Sequence, residues 1–392
     1  MSERTVSIVT PVKNRPELIQ ETLQSVQKQT YPHWEAVVVD DRSTDDTRDA
    51  VASMAAEDDR IRLFQRPKGK GGAPVCRNLG WRNAKGDYII FLDSDDLLAE
   101  ECLEQRVQYM AAHPGLDFAV FGNCFFDEVP GDKDELFNVP TDENPLDRFL
   151  KLDLPWQTAG PIYQRSTVEK IGGWNEELSC GQDVDYGVRS LCHDLQYHHT
   201  DSFDYYMRTG ASGREKVGGD PWSPERLPIR QKRVEATHRV LAETGNLTEK
   251  QKLRIVGNFL HLAECWAERD RIARARVTWR ACCRTLNVIP DRVCWFVDQY
   301  LKHHPTLWAR YMAYYMYKRF PPELFVSGFS IGRCPDEQGK RREEYPLQDY
   351  RSPYHRHAFV LINGPLGCTV RRLASSLGVT SVARFLKRKL QL

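Results

Sequence analysis

Nothing in this 392-residue chain reads as a membrane span: no stretch approaches the ~20 uninterrupted apolar residues that such a helix needs. Neither sign of charge is in excess. With 55 Lys and Arg against 54 Asp and Glu, nothing points to a protein that coats nucleic acid, and no nucleic-acid partner is expected. The eleven cysteines are odd in number, scattered, and include no C-x-x-C pair. That usage suits reduced, buried thiols in a cytoplasmic protein better than disulfides or zinc ligands. The apolar run of a signal peptide is also missing: Met-Ser-Glu-Arg-Thr leads straight into a short strand. The sequon at Asn246 is therefore read as incidental. The length leaves room for two domains.

What is present starts with Tyr88-Ile-Ile-Phe-Leu92, an apolar run that stops at Asp93-Ser-Asp95-Asp96. It reads as a strand buried on both faces that delivers clustered negative charge to its C-terminal end. In open α/β sheets ligands bind at that edge. Strand and helix alternate around it. Val6–Val9, Ala36–Val39 and Ile61–Phe64 read as strands. Asn14, Pro16 and Glu17 open a helix with Ile19, Leu23 and Val26 on one face. Further helices are expected over 47–56 and 77–84, and around Leu103, Val107 and Met110. The alternation implies a mainly parallel sheet with right-handed crossovers, so Asp40-Asp41 and Asp93–Asp96 share one edge. Residues 118–206 are more irregular, with a helix over 182–194. Gly218 to Pro224 looks like a linker, and 229–320 is helical in pattern, with at most two hairpin repeats, too few for a solenoid.

Two carboxylates spaced as Asp93-x-Asp95 at a strand end can hold a hard divalent cation against a diphosphate, the remaining positions going to water and phosphate. The plainer alternative is a solvated turn with an aspartate helix cap. A haloacid-dehalogenase-type phosphotransferase would carry such a motif on its first strand, followed by Gly-Thr, which is not the case here. Asp40 can accept hydrogen bonds from a base or ribose, while Ser43 and Thr44 can cap the next helix. Thr10-Pro-Val-Lys-Asn14 ends the first strand where backbone can approach a planar base. Lys68-Gly-Lys-Gly-Gly72 lacks the Gly-x-x-x-x-Gly-Lys-Ser/Thr pattern of a P-loop. A mobile loop bringing Lys70 near a diphosphate, with Arg77 beside it, stands against an ordinary basic surface loop.

Taken in order, Val6-Ser-Ile-Val-Thr-Pro-Val-Lys-Asn-Arg-Pro16, Gln29-Thr-Tyr-Pro32, Val39-Asp-Asp-Arg-Ser-Thr-Asp45, Cys76-Arg-Asn-Leu-Gly80 and Phe91-Leu-Asp-Ser-Asp-Asp96 resemble the nucleotide-sugar half of a family 2 glycosyltransferase. Ile171-Gly-Gly-Trp-Asn-Glu-Glu-Leu178 and Gly181-Gln-Asp-Val-Asp185 resemble its acceptor half. The resemblance covers roughly residues 5–212. It implies a GT-A-type, Rossmann-like mixed sheet flanked by helices, followed here by a mostly α-helical C-terminal region. The expected division is a glycosyltransferase domain over 1–217 (halves 1–117 and 118–217) and, outside the resemblance and read from the pattern of the chain, a linker over 218–228, a helical domain over 229–320 and an irregular segment over 321–392.

The implied chemistry is inverting, metal-assisted transfer of a sugar from a nucleotide diphosphate, UDP foremost, to a hydroxyl of a glycan or lipid-linked acceptor. Asp93 and Asp95, with Asp96 beside them, would hold Mg²⁺ or Mn²⁺ and the ribose or diphosphate. Asp40 would recognise the base, with Pro11 and Val12 lining its pocket. Thr10, Asn14, Ser43, Lys70, Arg77 and Ser94 would complete the donor side. Asp183, rather than Asp185, corresponds to the catalytic base. Trp156, Trp174 and Gln182 would face the acceptor, although core packing suits the tryptophans equally.

Two positions depart from the family pattern: Gln182 replaces the glutamate before the base, and Thr209 stands where many members carry a metal-binding histidine. These departures are what favour a non-catalytic nucleotide-sugar- or carbohydrate-binding protein, the alternative to an enzyme. A nucleotidyltransferase would need a Gly-rich phosphate loop directly after the first strand, which Pro11–Arg15 does not supply. The last helix mixes Val382, Phe385, Leu386 and Leu390 with Arg384, Lys387, Arg388 and Lys389. It suits peripheral contact with an anionic membrane as well as it suits a solvated face.

Overall fold

The computed structural model describes residues 4–133, 135–137, 141–209, 222–286 and 289–304. Its first strand, β1 (Val6–Val12), is buried along its whole length, as expected of a strand covered on both faces. In α1 (Pro16–Gln27), Pro16 occupies the first turn and Ile19, Leu23 and Val26 turn inward. β2 (Trp34–Asp40), α2 (Thr47–Glu57), β3 (Ile61–Gln65), α3 (Ala73–Asn83) and β4 (Tyr88–Phe91) continue the alternation. α3 begins at Ala73 rather than at the expected Arg77, because Pro74 sits in the first turn, where a missing N–H costs nothing. Further along, Gly80 lets α3 lie directly on β1: a Cβ there would overlap the Val9 side chain.

Beyond β4 come β5 (Leu97–Leu98), α4 (Cys102–Ala112), β6 (Phe118–Phe126), α5 (Pro145–Leu150), β7 (Pro161–Gln164), α6 (Arg165–Ile171), α7 (Gln182–Cys192), β8 (Tyr197–Arg208) and α8 (Leu227–Glu243). The eight strands form one sheet in the order β3-β2-β1-β4-β7-β6-β8-β5. β3, β2, β1 and β4 are parallel. β7 is antiparallel to both its neighbours, and β5 to β8. The strands of the alternating first hundred residues are thus parallel, as the alternation implies, and the whole sheet is mixed, as the resemblance implies. An antiparallel return needs no helical crossover, so the regular strand–helix period fades after β4.

The chain divides into two compact units, with a boundary between Asn246 and Leu247. The first holds the sheet and α8, which packs on α7. The second contains α9 (Glu249–Glu268), α10 (Ile272–Leu286) and α11 (Asp291–Lys302), with α10 packed on both of the others. Val256, Phe259, Leu260 and Ala263 form part of the buried stripe of α9. Residues 218–221 of the expected linker, and 321–392 with the basic C-terminal helix, lie outside the described residues. Among the described residues, no helix is long and apolar enough to cross a membrane.

Candidate active site

The parallel strands end together. Val12 is in register with Asp40, and the Leu92 N–H donates to the Val9 carbonyl at 3.0 Å. The loops after β1, β2 and β4 therefore meet on one sheet edge, and they carry Thr10–Asn14, Asp40–Ser43 and Asp93–Asp96. The first two loops lock each other. The Asn14 backbone, at a left-handed φ of 51°, donates to Ser43 Oγ at 3.0 Å, and Asn14 Oδ1 accepts from the Thr44 N–H at 2.9 Å. Asp40 is fully buried, with one oxygen accepting from the Ser43 N–H and the other from Gln65 Nε2. Thr10 Oγ1 is buried with no hydrogen-bond partner.

Each of the three clustered carboxylates meets an arginine. Asp93 pairs with Arg77, which is buried and lies 4.4 Å over the Trp174 ring; Arg77 Nε and Nη1 have no partner. Asp95 pairs with Arg15 at 2.9 Å, and Arg15 also reaches Ser94 Oγ at 3.3 Å. Asp96 accepts the Arg208 backbone N–H at 3.1 Å. The Arg208 guanidinium binds the carbonyls of Asp95 and Asp127 and the carboxylate of Glu21. Burial pushes the Asp96 carboxyl well above the usual carboxylate range, with Asp95 and Asp93 adding to the shift. Burial also raises Asp95, against the pull of Arg15. The turn is held by topology: β5 zips to β8, Leu97 opposite Tyr206, which brings Arg208 to Asp96. Arg15 and Arg208 were not among the residues expected at the site. Arg15 stood within a quoted motif and Arg208 beside Thr209, but no local pattern ties either to Asp93–Asp96.

The Gly-rich loop is ordered around Arg66, also unexpected. Arg66 pairs with Asp41 and donates to the carbonyls of Pro67 and Gly69. A Cβ on Gly71 would lie 2.6 Å from its guanidinium. Asp41 further accepts the Gly72 N–H at 3.1 Å. Lys70 does not reach Asp93 or Asp95; it pairs with Glu177, in the turn before α7.

Asp183 lies in the first turn of α7, half-buried. It lines a shallow concavity, open to solvent on one side, together with Trp156, Tyr163, Trp174 and Tyr186. Its carboxylate makes no hydrogen bond or ion pair among the described residues, whereas Asp185 is buried and pairs with Arg189 at 2.9 Å. Trp174 stacks on Tyr186 with centroids 4.3 Å apart, and Trp156 packs edge-on to Phe149 at 4.9 Å. Both tryptophans thus serve the core while lining the hollow. Trp174 Nε1 and Tyr186 Oη are buried without partners, and Gln157 and Thr158 add polar groups to the wall. Gln182 Oε1 is likewise buried without a partner, but Gln182 is not one of the residues lining the concavity.

The family model of glycosyl transferase family 2 matches residues 7–165. The chain carries a family 2 glycosyltransferase domain. It is similar to the Glycosyltransferase GlyG of Streptococcus pneumoniae (36% identity over 135 residues, 33% of this chain and 42% of that protein). It is similar, too, to the GalNAc(5)-diNAcBac-PP-undecaprenol beta-1,3-glucosyltransferase of Campylobacter jejuni (35% over 123 residues, 31% and 39%). A third relative is the UDP-Glc:alpha-D-GlcNAc-diphosphoundecaprenol beta-1,3-glucosyltransferase WfgD of Escherichia coli (40% over 110 residues, 28% and 42%). The chain spans about two fifths to a half of the length of the curated relatives it matches. The crystal structure of S. aureus TarS 1-349 in complex with UDP-GlcNAc has a similar fold, with a TM-score of 0.51 at 16% identity, over 88% of this chain and 98% of that one. The fold is of the GT-A type.

For this family 2 domain, the donor set decides what a metal would find. Among the described residues, no group of three or more His, Cys, Asp or Glu is gathered to hold an ion alone. Thr209 gives its hydroxyl to Asp127 and accepts from Lys133 Nζ at 2.8 Å. The hard oxygens of Asp93 and Asp95 still fit Mg²⁺ or Mn²⁺, which typically take one or two carboxylates and fill their shell with water and substrate phosphate.

Proposed function

We propose that this protein is an inverting glycosyltransferase that moves a sugar from a UDP-sugar to a hydroxyl of a glycan or lipid-linked acceptor, in the synthesis of surface polysaccharide or glycoconjugate. The observation that carries the reading is the unpaired Asp183 carboxylate in the aromatic concavity, within the same compact unit as the acidic strand edge. The relatives support the substrate classes: two of them are named for β-1,3-glucosyl transfer to undecaprenol-diphosphate-linked acceptors, one from UDP-glucose. Glucose is α-linked in that donor, so a β-linked product means inversion at the anomeric carbon.

In this mechanism Asp40, Thr10, Pro11 and Val12 receive the nucleoside at the ends of β1 and β2. Asn14 and Ser43 shape that pocket by locking its two loops. Arg77 and Ser94 face the diphosphate, and Arg15 adds charge beside Asp95. Asp93 and Asp95 would hold Mg²⁺ or Mn²⁺; bound there, the ion would neutralise charge on the departing diphosphate. Trp156, Trp174 and Gln182 orient the acceptor. Asp183 takes the proton from its hydroxyl as the oxygen bonds to the anomeric carbon. The bond from that carbon to the diphosphate oxygen breaks, and the nucleoside diphosphate leaves with the electron pair.

Asp183→Asn should bind UDP as the wild type does, by thermal shift, yet lose transfer by at least about 100-fold, the scale of a missing general base. Asp95→Ala should instead weaken UDP binding itself. Transfer that survives Asp183→Asn would remove the base assignment. UDP binding without turnover in the wild type, across UDP-, GDP- and dTDP-sugars with and without Mn²⁺, would favour a binding protein.

A further inference from the structure

α8 lies beyond the residues that the family model matches, and its buried Arg233 packs against Gly181, two residues before Asp183. Arg233 is 3% exposed. Gly181, the residue that opens α7, sits on it with a φ of 68°: a Cβ there would lie 2.9 Å from Arg233 Cδ and 3.9 Å from Arg230 Nη1. The stem of Arg233 is thus wedged under the turn that leads into Asp183. Burial and the neighbouring Arg230 bring its pKa down to about 10, while Asp183 and Asp185 pull the other way. Of these two acids, Asp185 already has its own cation in Arg189. Asp183 has no such partner, and the residue before it is the neutral Gln182.

We propose that Arg233 is a positioning residue for Asp183, its charge holding the carboxylate toward the concavity from beneath α7 without touching donor or acceptor. This rests on Asp183 being the base. A charge in a partly buried setting acts on a neighbour far more strongly than in water. A base must also be held in place, since a displacement of ~1 Å can cost ~100-fold in rate.

The first test needs no substrate. Asp183→Asn, Arg233→Gln and the double variant of the full chain are melted without ligand. If the two residues interact, the double variant should lose at least about 2 °C less than the sum of the single losses. Strict additivity would overturn the proposal. The second test follows UDP release from UDP-glucose, with water as acceptor and Mn²⁺ present. Arg233→Gln should lower kcat roughly 10- to 100-fold with KM for UDP-glucose unchanged. Arg233→Lys should restore most of the rate, and Arg233→Gln should add no further loss to Asp183→Asn. A wild-type kcat in Arg233→Gln, or an equal loss in both backgrounds, would overturn the proposal. Full turnover in Asp183→Asn would remove the base reading, whereas the melts would still decide whether Arg233 acts on Asp183.

Discussion

Asp93, Asp95 and Asp96 sit on one short turn, yet each is held differently: by Arg77, by Arg15 and by the backbone of Arg208. Their position was legible, because an apolar run ending in carboxylates reads as a buried strand that delivers its charge to the sheet edge. Two of their three partners were not, since Arg15 lies about 80 residues from Asp95 along the chain and Arg208 lies 112 from Asp96. Arg15 has a measurable consequence. Its guanidinium and a metal ion would compete for Asp95, and a partly covered pair of this kind is worth about 1 kcal/mol. Arg15→Gln should therefore raise affinity for Mn²⁺ about fivefold in the absence of donor, measured by calorimetric titration. Unchanged or weaker Mn²⁺ binding would mean that the ion does not use Asp95.

At the scale of elements, the first half of the sheet was readable from period and punctuation, down to the helix opened by Pro16. The second half was not. β5 is two residues long, and what fixes it is its pairing with β8, a contact between distant segments. β8 is anchored in turn by a fully buried ion pair: Arg106 of α4 donates to both Asp204 oxygens, at 2.7 and 2.6 Å, and to the Ala159 carbonyl. Burial opposes the charge on Arg106, but Asp204 more than offsets it. Asp204→Ala strands that guanidinium and should cost about 3–5 kcal/mol in urea unfolding.

His199, on the same strand, gives a pH signature. Burial, then the nearby Arg148, lowers its pKa to about 4, against a weaker pull from Asp201. The unfolded chain therefore binds the extra proton first, and stability falls as pH drops from about 6.5 toward 4. The loss should be on the order of 2 kcal/mol at the acid end, and His199→Gln should flatten that part of the curve. An unchanged slope in that variant would assign the acid sensitivity to other groups.

At the scale of the whole molecule, composition and the long helical pattern were enough to expect a sheet domain followed by helices. The placement of α8 was not legible, because a helix read after a Gly- and Pro-rich stretch looks like the start of something new. In the structure it belongs with the sheet. Leu227, Val234 and Leu241 are buried, and the Cys192 thiol of α7 meets Thr244 just past the end of α8. Three buried aliphatic side chains at about 1.5–3 kcal/mol each come to roughly 5 kcal/mol or more, comparable with the total stability of an ordinary domain. A fragment ending at residue 217 should thus expose the outer face of α7 and either aggregate or melt far below the full chain. A fragment ending at residue 246 should unfold cooperatively and still be stabilised by UDP through mass action. If the shorter fragment matched the longer one in melting temperature and in its response to UDP, α8 would be an appendage and Asp183 would be held without it.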